Sequence, residues 1–232
     1  MKTILSVNKV TKQYRSNELI LKEVSLEIEE GSFTVIIGPS GSGKSTLLNI
    51  MSGLQKPSRG SVFFGDSDIT RFNEHELADF RRLDIGQIFQ QYLLLSHLTA
   101  EENIRLGVPG SGGAFSVQEL AELLDIADVL DQYPGQLSGG QQQRVAIARA
   151  LIKKPRMLFC DEATGALDEK NSRKVISLLH QICAKYGVTV LFITHNNEIA
   201  STADRVITIK DGVVVKDIPH KNPIPVDQMS WD

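Results

Sequence analysis

Nowhere in this 232-residue chain does an apolar run approach the ~20 residues that span a bilayer. If the protein works at a membrane, another chain anchors it. A secretory leader is not expected either. Met1-Lys2-Thr3-Ile4-Leu5 begins like one, but polar Asn8, Lys9, Lys12 and Arg15 arrive before an apolar segment forms. Cysteine is nearly absent: Cys160 and Cys183 lack metal-ligand spacing. Cys160 stands inside an apolar run and reads as a small core residue in a reducing compartment. No large excess of one charge exists either. A formal net charge of −3 leaves no basic footprint, which argues against nucleic acid as a partner. Internal repeats are lacking. The length suffices to bury one large α/β core, or a core with a small subdomain.

What the chain does have is a glycine loop in the right context. Phe33 to Ile37 is a short β-branched run of the kind that forms a buried strand. It leads into Gly38-Pro39-Ser40-Gly41-Ser42-Gly43-Lys44-Ser45-Thr46. Beyond the loop, Leu47, Ile50, Met51 and Leu54 recur at helical spacing, with Gly53 as a stop. Strand, glycine loop and helix form the phosphate-loop context. The glycines let backbone N–H groups face phosphate without a Cβ in the way. Phosphate sits on the helix N-terminus, Lys44 reaches the β/γ-phosphates, and Ser45 is placed to ligate Mg²⁺. This loop alone does not separate kinases, GTPases and ATPases. A GTPase is disfavoured because no Asn-Lys-x-Asp comes after the loop; Asn8-Lys9 precedes it and lacks the Asp.

Two later strands also end in chemistry. Met157 to Cys160 is apolar and ends in Asp161-Glu162; Val188 to Ile193 is β-branched and ends in Thr194-His195. Open parallel sheets bind ligands outside the carboxyl ends of their strands. Asp161 is then the expected ligand to a Mg²⁺-bound water, and Glu162 the group that orients or deprotonates an attacking water. His195 at a third strand end joins them; histidines 75, 97, 180 and 220 share no such placement. Helices over residues 44–53 and 171–185 supply the crossovers.

A second glycine turn, Leu137-Ser138-Gly139-Gly140-Gln141, opens a helical stretch running to Ile152. Ser138 is a natural N-cap, and the glycines leave the helix N-terminus open to an anion. From the residues alone an ordinary capped helix is an equal reading.

Together these segments resemble the ATP-binding cassette family. Leu137 to Gln141 is similar to its signature sequence, and Gln142 to Ala150 is similar to the family's helix beyond that signature; the likeness covers nearly the whole chain. The resemblance implies an α/β fold: a phosphate-loop NTPase core with a mainly parallel sheet, a small antiparallel β element and an α-helical subdomain. It implies a Mg²⁺-dependent ATPase whose two copies sandwich two ATP molecules head to tail. The phosphate loop of one copy then faces Ser138, Gly139, Gly140 and Gln141 of the other. It further implies Tyr14 as the adenine-stacking aromatic and Gln90 as a contact to Mg²⁺ and the attacking water. Glu162 becomes the base, Asp161 the ligand of a Mg²⁺-bound water, Gly165 to Asp168 the loop linking the two sites, and His195 a γ-phosphate contact. One departure is Ala163, where relatives often carry Pro.

The implied organisation is a nucleotide-binding core over 1–89 and 153–218, a helical subdomain over 90–152, and a C-terminal tail over 219–232. Strands are expected from Met1 to about Gly86. Ser61 to Phe64 forms the antiparallel element, and a glycine-rich loop over 107–113 interrupts the helical part. A hairpin turn at Asp211-Gly212 precedes a last strand over 213–215, and the tail is expected to be a surface strap. Three classes compete: a transporter ATPase subunit, a DNA-repair or chromosome ATPase, and a soluble twin-cassette ATPase. The short interval from Gly38 to Ser138 leaves no room for a long coiled coil, and a single cassette is present, so the transporter subunit is expected. Its partners are then a second copy of itself and a membrane permease that holds it at the cytoplasmic face. The short length, Gly38 to Leu48, Leu98 to Ile104 and Ala163 to Asp168 resemble the lipoprotein-release and macrolide-export branch; an importer or a cell-division complex remains the alternative. The leucine-dense segment Tyr92 to Leu98 fits either burial in the chain's own core or a groove for a permease helix.

Overall fold

The computed structural model of the protein describes residues 2–14, 18–108 and 115–230. Arg15 and most of the expected glycine-rich loop, Pro109 to Gly113, lie outside the described residues. In chain order the strands and helices are β1 (Thr3–Gln13), β2 (Leu19–Glu29), β3 (Phe33–Ile37), α1 (Lys44–Met51), β4 (Arg59–Phe64) and β5 (Ser67–Asp68). Next come α2 (Glu74–Leu83), β6 (Ile85–Phe89), α3 (Ala100–Arg105), α4 (Val117–Leu123) and α5 (Gly139–Leu151). The last third holds β7 (Met157–Asp161), α6 (Glu169–Tyr186), β8 (Thr189–Thr194), α7 (Asn197–Ser201), β9 (Arg205–Lys210) and β10 (Val213–Pro219).

Six strands form the central sheet in the order β10-β9-β3-β8-β7-β6, with only β10 antiparallel to its neighbour. The apolar runs of β3, β7 and β8 are buried on both faces, and successive side chains alternate between two cores. Val35, Leu158, Cys160, Val190 and Phe192 pack with the helices α3 to α6. Ile36, Met157, Phe159, Leu191 and Ile193 pack on the other side with α1 and the antiparallel sheet. Because β3, β8 and β7 are adjacent and parallel, the phosphate loop, the acidic pair and His195 emerge at one edge.

The antiparallel element is larger than Ser61 to Phe64 suggests. It is a four-stranded sheet ordered β2-β1-β4-β5, built on two 11-residue strands. The first 86 residues are not strands alone, since α2 lies among them behind a capping box of Asn73 and Glu76. Leu54 falls outside α1, which stops at Met51, and is exposed. No regular helix comes after Gln90 until Ala100. The Asp211-Gly212 turn has positive φ at both residues, as a tight hairpin of this type needs, and β10 runs past Val215 to Pro219. Pro219 is tolerated there because β10 is an edge strand. The tail then crosses α6 and α7 and buries Met229 in the main core.

Candidate active site

The phosphate loop is pinned from both ends. A Cβ on Gly38 would stand 2.0 Å from the carbonyl oxygen of Ile209, so only glycine fits. Gly43 adopts φ +98° immediately before α1, a conformation that glycine reaches at little cost. Lys44 is buried and folds back, its Nζ donating at 2.8 Å to the carbonyls of both Gly38 and Pro39. Burial holds its pKa below the usual lysine value, opposed by the carboxylates of Glu162 and Asp161. Among the described residues the buried Ser42 hydroxyl of this loop has no hydrogen-bond partner. An orphaned donor inside a ring of backbone amides is chemistry that suits a phosphate oxygen.

Opposite the loop, β7 and β8 deliver two hydrogen-bonded pairs. Ser45 Oγ donates to Asp161 Oδ1 at 3.1 Å. Burial pushes the Asp161 carboxyl above its ordinary value, and the bond from Ser45 partly opposes that. Glu162 holds φ +47°, rare for a non-glycine residue. Its amide donates to Ile193 O and its carbonyl accepts from Gly165 N, which fixes the strained turn. The side chain meets His195, Nδ1 to Oε1 at 3.3 Å. Tyr14, Ile20, Ser40, Gly41, Gly43, Lys44, Ser45, Thr46 and Glu162 line one cleft of about 310 Å³. Tyr14 stands at its mouth with the hydroxyl hydrogen-bonded to Gln55. A larger groove of about 710 Å³ lies between α6 and Val226–Asp227. It holds none of the phosphate-loop residues, so donor chemistry rather than size marks the site.

The remaining expected residues lie apart. Gln90 is exposed and rests its amide on Gly165, where a Cβ would stand 2.9 Å from Nε2. Asp168 caps α6, accepting from the backbone N–H and side-chain amide of Asn171 at 2.8 Å each. Ser138 caps α5 in a reciprocal box: its hydroxyl accepts from Gln141 N, and Gln141 Oε1 accepts from Ser138 N. None of Ser138, Gly139, Gly140, Gln141 or Asp168 lines the cleft. Ile20 and Gln55 were not foreseen. Ile20 reaches the cleft only through the fold of β2, and Gln55 comes after α1 in a stretch without any pattern.

The sequence pattern of the family described as "ABC transporter" matches residues 21–165. The chain is 44% identical over 225 residues to the lipoprotein-releasing system ATP-binding protein LolD of Geobacter metallireducens, covering 94% of this chain and all of that protein. It is 42% identical over 220 residues to the macrolide export ATP-binding/permease protein MacB of Bdellovibrio bacteriovorus, covering 92% of this chain and 34% of that protein. Some relatives are thus longer, and the chain spans 65% of a Mycoplasma pneumoniae putative ABC transporter ATP-binding protein to which it is 40% identical. Among solved structures, a dimeric ATP-binding cassette in a post-hydrolysis state with ADP and Pi superposes with a TM-score of 0.85 at 39% identity. That match covers 93% of this chain and 98% of the other.

Proposed function

The chain belongs to the ABC transporter family of ATP-binding cassettes, and from that premise we propose that it hydrolyses ATP between two head-to-tail copies to drive a separate membrane permease, in export or lipoprotein release. The observation that carries this reading is that the phosphate loop and the signature turn do not line one cleft within the chain. The cleft is lined by the phosphate loop and Glu162, with Asp161 bonded to its Ser45, yet the signature turn at Ser138 lines no part of it. A second copy supplies the missing face.

Within this reading Lys44 exchanges the carbonyls of Gly38 and Pro39 for phosphate oxygens, and the Ser42 hydroxyl finds its partner there. Tyr14 stacks on the base. Ser45, Asp161 and Gln90 present hard oxygen donors of the kind that suits Mg²⁺, which keeps few protein ligands and takes the rest from phosphate and water. That ion, when bound, offsets charge on the β- and γ-phosphates. Glu162 accepts the proton of the attacking water, and His195 holds its carboxylate in place. We assign the helical subdomain to residues 90–152 and the core to 1–89 and 153–218, with the tail beyond.

The permease contact rests on Leu93 and Leu95. Asn103, fully buried, pins this segment by bonds to Leu95 N, Leu95 O, Leu98 O and Thr99 O. Leu94 packs on the core, while Leu93 and Leu95 stay 52% and 42% exposed. Among the described residues no helix is long and apolar enough to cross a membrane, so contact with the bilayer is assigned to the permease. The likeness to LolD and MacB favours the export branch.

Cysteines placed at Ser40 and Gly139, with Cys160 and Cys183 replaced, test the sandwich. An ATP-dependent disulfide between chains is the expected result. A disulfide formed only within one chain overturns the architecture.

A further inference from the structure

The signature turn is not held by its own helix alone. Its two glycines each receive a side chain from elsewhere in the chain, Tyr92 from the segment after β6 and Asn171 from the first turn of α6. A Cβ on Gly139 would stand 2.9 Å from the hydroxyl oxygen of Tyr92. A Cβ on Gly140 would stand 2.5 Å from Asn171 Oδ1 and 2.7 Å from its Cγ. Side chains from within the chain thus pack directly on both glycines, closely at Gly140 and at the tyrosine tip for Gly139, apart from any approach of an anion. Tyr92 is two residues past Gln90. Its carbonyl and that of Leu93 accept from Arg149, at 2.9 and 2.6 Å, and Arg149 lies on α5, the same helix that the signature turn opens. Asn171 is bonded through N–H and Nδ2 to both carboxylate oxygens of Asp168, three residues past Gly165. The ring closes because Gln90 rests on Gly165.

We propose that Tyr92 and Asn171 are positioning residues that set the signature turn from the Gln90 segment and the Asp168 loop, and so tune the face presented to the partner's nucleotide. The proposal rests on the head-to-tail reading above. Neither residue lines the cleft that holds this chain's own phosphate loop. Their influence should therefore appear in closure of the dimer and not in the first binding of nucleotide. Two routes converge on the same two glycines, so a shift of either loop is transmitted to that face without passing through the core.

The test measures the two events separately in the Glu162→Gln background, where loss of the base leaves bound ATP uncleaved. Affinity of the dilute monomer for a fluorescent ATP analogue is read first. The dimer dissociation constant at saturating Mg-ATP is then read by analytical ultracentrifugation. Tyr92→Phe removes only the hydroxyl, and Asn171→Ala removes the amide against Gly140. Each is expected to weaken the dimer about 3- to 10-fold, the worth of one hydrogen-bond-sized contact. Monomer affinity should stay within about 2-fold. Variants that dimerise like their parent overturn the proposal. So does a parallel loss of monomer affinity, which would mark a general structural role; the isosteric Tyr92→Phe guards against misfolding. If the Glu162→Gln parent itself forms no ATP-dependent dimer, the sandwich reading fails first and takes the proposal with it.

Discussion

Asp161 answers to two opposed demands. A half-exposed carboxylate would be cheap to keep charged, but this one sits at a buried strand end, and desolvation raises its carboxyl above the ordinary value. A group whose folded pKa is raised binds its proton more readily in the fold than in the unfolded chain. Its charge is therefore a cost at neutral pH, and that cost vanishes as pH falls through the raised value. Asp161→Asn is expected to raise the melting temperature of the nucleotide-free protein at pH 7–8, with the gap from wild type closing as pH is lowered. The same variant should lose ATPase activity by ~10²-fold or more, because the metal-directed carboxylate is gone. Calorimetry across pH with a parallel phosphate-release assay checks both halves; a variant less stable than wild type at pH 8 would contradict the electrostatic account. Both cysteines answer the expectation from sequence for a different reason. They are buried, and burial pushes the Cys183 thiol up to about 11 and that of Cys160 higher still, so neither is a nucleophile in the fold.

Elements were unevenly readable before folding. Strands β3, β7 and β8 announce themselves because both faces are buried, which demands continuous β-branched and apolar residues. The long strand β1 does not, since repeated register shifts along its pairing with β2 break the alternation that would mark a half-buried strand. Helix α2 is concealed by its surface exposure: only Leu77 and Phe80 are buried in ten residues, too few for an apolar stripe. Helix α5 was visible, but its fastening was not. Arg149 on the helix donates to the carbonyls of Tyr92 and Leu93 after β6, and Lys153, two residues past its end, donates to the Arg81 carbonyl near the end of α2. Burial lowers the Lys153 pKa to about 8. Arg149→Met keeps the apolar stem and deletes the charged donors. It is expected to cost about 1.5–3 kcal/mol, the usual worth of hydrogen bonds to a charged group. Urea titration should show that loss as a lower midpoint at unchanged slope. A midpoint equal to wild type would show that the Tyr92–Leu93 segment is held by something else.

At the scale of the whole molecule, the sequence announced a phosphate site through local context, because strand, loop and helix are contiguous. The second anion turn could be read only by resemblance. In the head-to-tail reading proposed above its partner surface belongs to a second copy, so no pattern within one chain joins the two. The outer surface carries its own prediction. Leu93 and Leu95 stay exposed on a segment whose backbone is fixed by Arg149 and Asn103. Leu95→Glu should leave ATPase activity of the purified subunit within about 2-fold, since exposed positions tolerate charge. In membranes carrying the permease it should abolish substrate-linked stimulation. Unchanged stimulation, or a crosslink map placing the permease elsewhere, would remove these leucines from the interface.

The half-lined cleft has a kinetic corollary. If two copies complete the cleft as proposed, a sufficiently dilute solution holds no working enzyme, and turnover per molecule should climb with protein concentration until pairing saturates. A permease that carries two such subunits abolishes that dependence. It replaces a bimolecular search with a tethered one at an effective concentration in the millimolar range for short connections. Dilution then acts on the free subunit as an inhibitor and on the assembled transporter not at all. A stray copy released into solution is switched off by its own solitude.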